Sequence, residues 1–506
     1  MLRICLSAVA LLATTAACTA NCGDLAGKSY GPATIIAATG VVGASSFVGK
    51  DPPLPTALDA PFCRIEGVIK PTSDSNIRFE VWLPPAEKWN GKLEAVGNGG
   101  FAGSLIYPSM KQALDQGYAT TATDTGHEGG SLDAGWALGH PERISDFGWR
   151  GVHETAIASK AIVAEYYGKA ATHAYFAGCS DGGREALIEA QRFPKDFNGI
   201  VAGAPASAWN RLFANALADH QALSAPDAWL SPDDLALVTK ETLAACGGEN
   251  GVLPDPLACH FDPAILTCKS GQNSACLGAA KVAALKAIYA GPKDAKGVSI
   301  FPGFAQGGET GAGAWPAWLT GTEPKRLQGT LLYFFASGFF SNFVYDKTIT
   351  DLTTLTLDQV LADATTKTAK ALDAQSFDLT EFRAAGGKLI QYHGWNDAAI
   401  PPAASIQYYE SVAARMGGES SISPFYRLFM APGMEHCGHG PGANAIGGVF
   451  GLPPPKHDPA HDVVAAIAHW VEDGVAPDSL TATLYTDNDP GKGIASERAW
   501  SAYKQH

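Results

Sequence analysis

Toward both ends of the chain, short apolar runs closed by glycine turns alternate with longer amphipathic stretches. Leu93–Val96, His173–Ala177 and the run from Lys388 into a Gly394-Trp395-Asn396 turn read as strands. Glu154–Tyr167, Arg184–Phe193 and Pro459–Gly474 read as helices. Strands alternating with helices of this length predict an α/β fold on a parallel sheet. The pattern breaks between Ala206 and Phe377, which holds four cysteines, many turn residues and the aromatic run Leu331–Phe340. Residues 21–205 and 378–506 are therefore expected to form one α/β core, with 206–377 inserted in it. A chain of 506 residues is long enough for such an addition.

The chemistry begins at Gly178-Cys179-Ser180-Asp181-Gly182. Gly-x-Ser-x-Gly between a strand and a helix describes a nucleophile elbow, a strained turn that presents a serine hydroxyl above a sheet. A serine needs a base to take its proton, commonly a histidine oriented by a carboxylate. Asp397 stands just past a strand end and His436 follows it, so the order Ser180, Asp397, His436 is that of α/β-hydrolases. A developing alkoxide needs two backbone N–H donors. Asp181, next after the serine, is one candidate, and Gly100 in Asn98-Gly99-Gly100-Phe101 is the other, with Gly99 its rival.

Cys179 and Cys437 adjoin Ser180 and His436, and a bond between them would fix the serine–histidine geometry. This Cys-Ser, Asp, His-Cys constellation resembles the tannase and feruloyl esterase family of secreted serine esterases, which also contains mono(hydroxyethyl) terephthalate hydrolases. The likeness runs through Gly97–Gly103, Gly117–His127, Asp146–His153, Gly178–Arg184, Ala190–Pro194, Gly386–Pro402 and Met434–Gly438. It implies an α/β-hydrolase fold in which 206–377 is a large lid domain covering the serine. It further implies hydrolysis of an aromatic acid ester, with no cofactor for catalysis. A feruloyl or related hydroxycinnamoyl ester on a saccharide is the expected substrate. A galloyl ester is the second choice, and a terephthalate monoester, which needs a cation for its distal carboxylate, the third. Arg211 and Arg326 are the only arginines of the insertion. The rival classes are a secreted binding module that has lost catalysis and a metal-dependent hydrolase. The first would show a broken site, and the second a His/Asp/Glu cluster at ligand spacing, which the sequence lacks.

Charge narrows the partners further. A net charge of −14 argues against nucleic acid, which needs a basic face, and no apolar run is long enough for a membrane span. The N-terminus reads as a cleavable export signal of about 20 residues: Arg3, the apolar Ile4–Ala13 and the small residues Ala16–Ala20. A lipid anchor on Cys18 is the lesser alternative, because Thr15 stands where leucine is usual. Cleavage leaves eight cysteines, an even number that suits disulfides in an exported chain. Four cysteines between 246 and 276 could also hold zinc, but their spacings are not the close pairs of zinc modules. The resemblance implies the pairs Cys22–Cys63, Cys179–Cys437, Cys246–Cys259 and Cys268–Cys276.

The family's lid commonly holds a structural calcium, but here the loop from Cys246 to Cys259 offers only Glu249, Asn250 and Asp255. That is a thin set for an ion wanting six to eight oxygens. His439, three residues after His436, lies in a Gly-Pro-rich loop and reads as no ligand. His127 and His153 read as scaffold rather than active-site wall. The aromatic run around Phe335 reads as lid core, with some rings joining Trp315 and Trp318 in an acyl pocket.

Overall fold

The computed structural model describes residues 21–42, 58, 60–272 and 274–505. The expected leader, with Cys5 and Cys18, lies outside the described residues. Ten strands form one sheet. In chain order they are β1 (Ser29–Tyr30), β2 (Ala33–Val41), β3 (Phe62–Ile69), β4 (Ile77–Leu83) and β5 (Lys92–Val96). They continue with β6 (Ala119–Thr123), β7 (His173–Cys179), β8 (Gly199–Gly203), β9 (Lys388–Gly394) and β10 (Tyr426–Ala431). The spatial order is β1-β2-β3-β4-β6-β5-β7-β8-β9-β10, and a hairpin of β11 (Ser479–Tyr485) and β12 (Ile494–Ser501) stands apart.

Only the half from β6 to β10 is parallel; β1 through β4 pair antiparallel with each other, and β4 with β6. The parallel sheet suggested by the pattern is thus found from β6 to β10 only. The segment between Ile69 and Ile77 is a run of turn residues, too short for the crossover that parallel neighbours require. From β5 onward the connections carry helices, and pairing turns parallel.

Side chains alternate across the sheet with period two. Ile65, Phe176, Ile200, Leu389 and Leu428 pack into one core with α2 (Gly151–Tyr167), α3 (Asp181–Arg192) and α6 (Ala403–Met416). Their neighbours Trp82, Tyr175, Val201, Ile390 and Phe429 pack on the other face against α1 (Tyr107–Asp115) and α7 (Val463–Asp473). Helix α7 begins at Val463, four residues later than the pattern suggests, because Asp462 caps it, accepting from Val464 N and Ala465 N.

The connection from β8 to β9 contains the whole of 206–377, including α4 (Trp209–Ser224) and α5 (Leu331–Phe339). A third core fills this region. It is not closed on itself: Phe101, Trp136, Phe147 and Ala398–Ile400 from the sheet's loops belong to it. Disulfides join Cys22–Cys63, Cys179–Cys437, Cys246–Cys259 and Cys268–Cys276. Among the described residues no helix is long and apolar enough to cross a membrane.

Glu94, buried in β5, carries a measurable consequence. Burial, then the charge of Asp462, pushes its carboxyl from 4.5 up to about 8. The folded chain therefore keeps a proton there that the unfolded chain releases near pH 4.5. That contribution to stability is present in acid and is lost as pH rises to about 8. Glu94→Gln removes the loss, so the variant should gain on the wild type between pH 5 and pH 9, by at most about 5 kcal/mol. Melting temperatures of both proteins across that range measure it, and a difference independent of pH would refute it.

Candidate active site

Four loops at the C-terminal ends of parallel strands converge, where α/β sheets bind their ligands. They follow β5, β7, β9 and β10, and bring Asn98-Gly99-Gly100, Ser180, Asp397 and His436 respectively. Ser180 has φ 64° and ψ −119°, a strained conformation for a side chain with a Cβ. The turn around it leaves no room. A Cβ on Gly178 would stand 2.2 Å from the Gly182 carbonyl oxygen, and one on Gly182 would stand 2.7 Å from that of Asn98. Both flanking glycines of the motif are thus required by close approach.

His436 donates from Nδ1 to Asp397 Oδ2 at 2.7 Å. The carboxylate is buried, and its other oxygen accepts from Ala399 N at 2.7 Å and Ile400 N at 2.9 Å. A second histidine, His393, lies 3.1 Å from the same Oδ2 by its Nε2, which also faces the Ile400 carbonyl oxygen at 3.1 Å. Two acceptors at Nε2 place a proton there, and Nδ1 pairs with the Ser405 hydroxyl at 2.7 Å. Burial pushes the Asp397 carboxyl upward, but His436 and His393 outweigh it and hold it well below the usual carboxylate range. Asp397 is therefore ionised at neutral pH.

The loop after β5 is pinned in an open turn. Gly100 has φ 61°, and a Cβ there would lie 2.3 Å from the Ser131 carbonyl oxygen. Phe101 N donates to that oxygen at 2.8 Å and Gly182 N to Asn98 O at 2.9 Å, so the N–H groups that follow Gly100 and Asp181 are engaged. Asp181 opens α3, and a first helical residue has no intrahelical acceptor for its N–H. Glu185, one turn further, accepts from Asn98 N at 2.9 Å and Asn98 Nδ2 at 3.3 Å. Burial, then Asp181, raises the Glu185 carboxyl to about 8. Arg184, fully buried, donates to Asp181 Oδ1 at 2.6 Å and to the carbonyls of Gly148 and Phe147.

Ser180, His436, Cys437, Gly99 and Gly100 border a chamber of about 640 Å³. From Ser180 a narrow apolar slot continues between Trp209, Leu212, Phe213, Trp318, Phe335 and Ile400. Trp318 stands edge-on to His436, ring centres 5.4 Å apart. Trp318 and Phe335 lie where the sequence suggests a pocket, whereas Trp315 does not. It is buried beside Tyr289 and Phe304 in the core of the insertion, since Pro316 starts a short π-helical segment whose wider winding sends the two tryptophans to different sides. Arg211 is exposed and Arg326 pairs with Glu323 at the surface.

His127 donates to the Phe101 carbonyl oxygen at 2.7 Å and stacks on Trp136, a support for the glycine loop. Burial lowers its pKa to about 3, so the ring is neutral. His153 pairs with Asp196 at 2.6 Å and stacks on Phe193. Glu189 lies with them, the three offering ligand atoms within 4.8 Å of one another, and Lys160 beside Asp196 supplies a positive charge. His439 is itself exposed, between buried Gly438 and Gly440. Glu249, Asn250 and Asp255 do not fit calcium. All three are exposed, and Asp255 already accepts from Leu257 N as a turn cap.

Sequence reading missed His393, Glu185, Arg184, Trp209 and Phe213. Three of these had a signal: Glu185 lies one helical turn after Asp181, and Trp209 and Phe213 share a helix face four apart.

Comparison with known proteins identifies the family. The sequence profile of the family described as "Tannase and feruloyl esterase" matches residues 63–501. An uncharacterized esterase of Xanthomonas campestris pv. campestris is 40% identical, over 99% of this chain and 90% of its own. A probable feruloyl esterase of Arthroderma benhamiae is 31% identical, over 81% of this chain and 76% of its own. Among solved structures, feruloyl esterase B from Aspergillus oryzae superposes with a TM-score of 0.84 at 28% identity, covering 94% of this chain and 93% of that one. Tannin acyl hydrolase from Aspergillus niger gives 0.73 at 25% identity, covering 93% and 89%. The chain thus belongs to the tannase and feruloyl esterase family, and it is a carboxylic ester hydrolase with an α/β-hydrolase fold.

Proposed function

We propose that this is an exported serine esterase that cleaves hydroxycinnamoyl esters, of the feruloyl type, with Ser180, His436 and Asp397 as its triad. The observation that carries the reading is the Asp397–His436 hydrogen bond behind an imidazole that lines the same chamber as Ser180. His436 takes the Ser180 proton as the oxygen attacks the ester carbonyl, and ionised Asp397 steadies the imidazolium. The N–H groups of Gly100 and Asp181 receive the alkoxide. His436 then protonates the departing alcohol, and water releases the acid by the same steps in reverse. In this reading 206–377 is a lid that supplies one wall of the acyl slot.

The slot favours a flat apolar acid. Trp209, Phe213 and Phe335 offer ring contacts, and Trp209 Nε1 is a buried donor without a partner, fit for one ring oxygen. The three hydroxyls of a galloyl ring would need more partners than these walls provide. Among the described residues no lysine or arginine lines slot or chamber, which disfavours the distal carboxylate of a terephthalate monoester. A binding module without catalysis would have no use for the Asp397–His436 pair. Four disulfides support an oxidising compartment and hence export.

Methyl ferulate, methyl gallate and mono(hydroxyethyl) terephthalate, offered to the purified chain, test both the mechanism and the acid. The ferulate should be the best substrate, and Ser180→Ala should lower kcat by about 10⁴-fold or more. A Ser180→Ala protein as active as wild type would overturn the mechanism, and a preference for another ester would reassign the slot.

The Cys179–Cys437 bond is expected to matter for rate as well as stability. Replacing both by serine should cut kcat more than ten-fold and cost about 3–5 kcal/mol of stability. The same change at Cys268 and Cys276, remote in sequence from the triad, should leave kcat near wild type. Equal loss of kcat from both pairs would mean that the first bond has no special role.

A further inference from the structure

Helix α3 carries two buried carboxyls on one face, Glu185 and Glu189, four residues apart. Their surroundings treat them differently. Glu185 accepts two hydrogen bonds from Asn98. Glu189 is 1% exposed, and among the described residues neither of its oxygens has a hydrogen-bond partner. A buried carboxyl without a donor is costly. Burial, then the charge of Asp196, pushes it well above the ordinary carboxylate range.

Glu189 faces groups of the kind that hold metals. Its carboxyl, a ring nitrogen of His153 and a carboxylate oxygen of Asp196 lie within 4.8 Å of one another. They come from three places in the fold: the first turn of α2, the last turn of α3 and the turn that leads into β8. The trio is braced. Asp196 N donates to Phe193 O at 2.9 Å, and the His153 ring stacks on the Phe193 ring with centres 3.7 Å apart. His153 Nδ1 stands 2.6 Å from Asp196 Oδ2. Lys160 Nζ lies 3.8 Å from the other Asp196 oxygen, and its charge reaches Glu189 without a hydrogen bond to that carboxyl. The side chains of His153 and Asp196 are 21% and 13% exposed, which gives an ion and its waters a path to Glu189.

We propose that His153, Glu189 and Asp196 bind a divalent transition-metal ion such as Zn²⁺, which ties α2 to the end of α3. One imidazole nitrogen and two carboxylates are a set that zinc accepts, with water in the fourth position. Calcium and magnesium want six or more oxygens and find too few here. Glu189 lies nine residues past Ser180, about 13 Å along the helix at 1.5 Å per residue. An ion there cannot touch an ester on Ser180. Its role is structural, and the site stands or falls independently of the esterase reading.

Zinc chloride, titrated calorimetrically into chelator-stripped wild type, should fill about one site with a micromolar or lower Kd. Saturating zinc should raise Tm by about 3 °C. Calcium chloride should give no comparable heat, and calcium binding as tight as zinc would overturn the choice of metal. Glu189→Gln keeps the volume and gives Asp196 a donor, while His153→Phe keeps a ring on Phe193. Each should weaken zinc at least about ten-fold. Surface pairs such as His461–Asp458 and His469–Asp473 persist in both variants. Zinc binding of equal strength in wild type and variants would therefore overturn the site. No saturable binding to wild type would overturn it as well, and would mean that Glu189 keeps a proton beside Asp196. Should a variant fail to fold, anomalous scattering from a zinc-soaked crystal of the wild type locates the ion. A peak beside Glu189 supports the site, and peaks only elsewhere overturn it.

Discussion

Ser180 and His436 leave strands that do not touch. The order β7-β8-β9-β10 puts two strands between them, so their strand ends stand about 14 Å apart at ordinary sheet spacing. Ladder hydrogen bonds cannot bring such residues together. The loop after β10 must fold back across the end of β9, and the structure shows how it does. Trp395 N donates to Ala431 O, and Asn396 N to Met434 O, both at 2.9 Å. A Cβ on Gly394 would lie 2.3 Å from that Met434 oxygen. The fold-back ends at the Cys179–Cys437 bond, with the two Cα atoms 6.0 Å apart. One covalent link thus closes a gap that the sheet itself enforces. Its partners are the residues next to Ser180 and His436, so its geometry passes directly to theirs.

Around that link the protein buries charge in an ordered way. Asp397 is ionised because two histidines and two backbone N–H groups surround it. Glu185 is held largely neutral at pH 7 and accepts from Asn98, which fixes the glycine loop. Arg184 sits fully buried, its guanidinium 4.8 Å over the Phe147 ring and 5.2 Å over Trp209. Buried charges cost stability unless paired, and here each one grips a loop of the active site. Removing one partner would leave a charge without compensation exactly where position matters to about half an ångström.

Legibility of the site in the sequence followed distance along the chain. The elbow, its strand and its helix lie within some twenty residues, so local pattern exposes them. Asp397 and His436 were readable because each follows a strand end in a turn-rich motif. The antiparallel half of the sheet was not, because an apolar run does not say which neighbour it pairs with. Trp315 and Trp318 look equivalent in sequence, and only the winding that starts at Pro316 separates core from wall. His393 falls in the same motif as Asp397, yet its bond to the carboxylate depends on how the turn closes.

The insertion cannot be treated as a loose flap. Its core is continuous with Phe101 of the glycine loop, Phe147 and Ala398–Ile400 beside Asp397. Phe101 packs on Trp209, Phe213, Phe335 and Phe343, with ring centres 5.4–6.3 Å apart. Lifting the insertion away would expose these rings at about 2 kcal/mol each and strip the Arg184 guanidinium of the Trp209 ring. Moving the walls of the slot would therefore also move the residue that follows Gly100. The walls of the slot and the loop that carries Gly100 are mechanically one structure, packed together through Phe101.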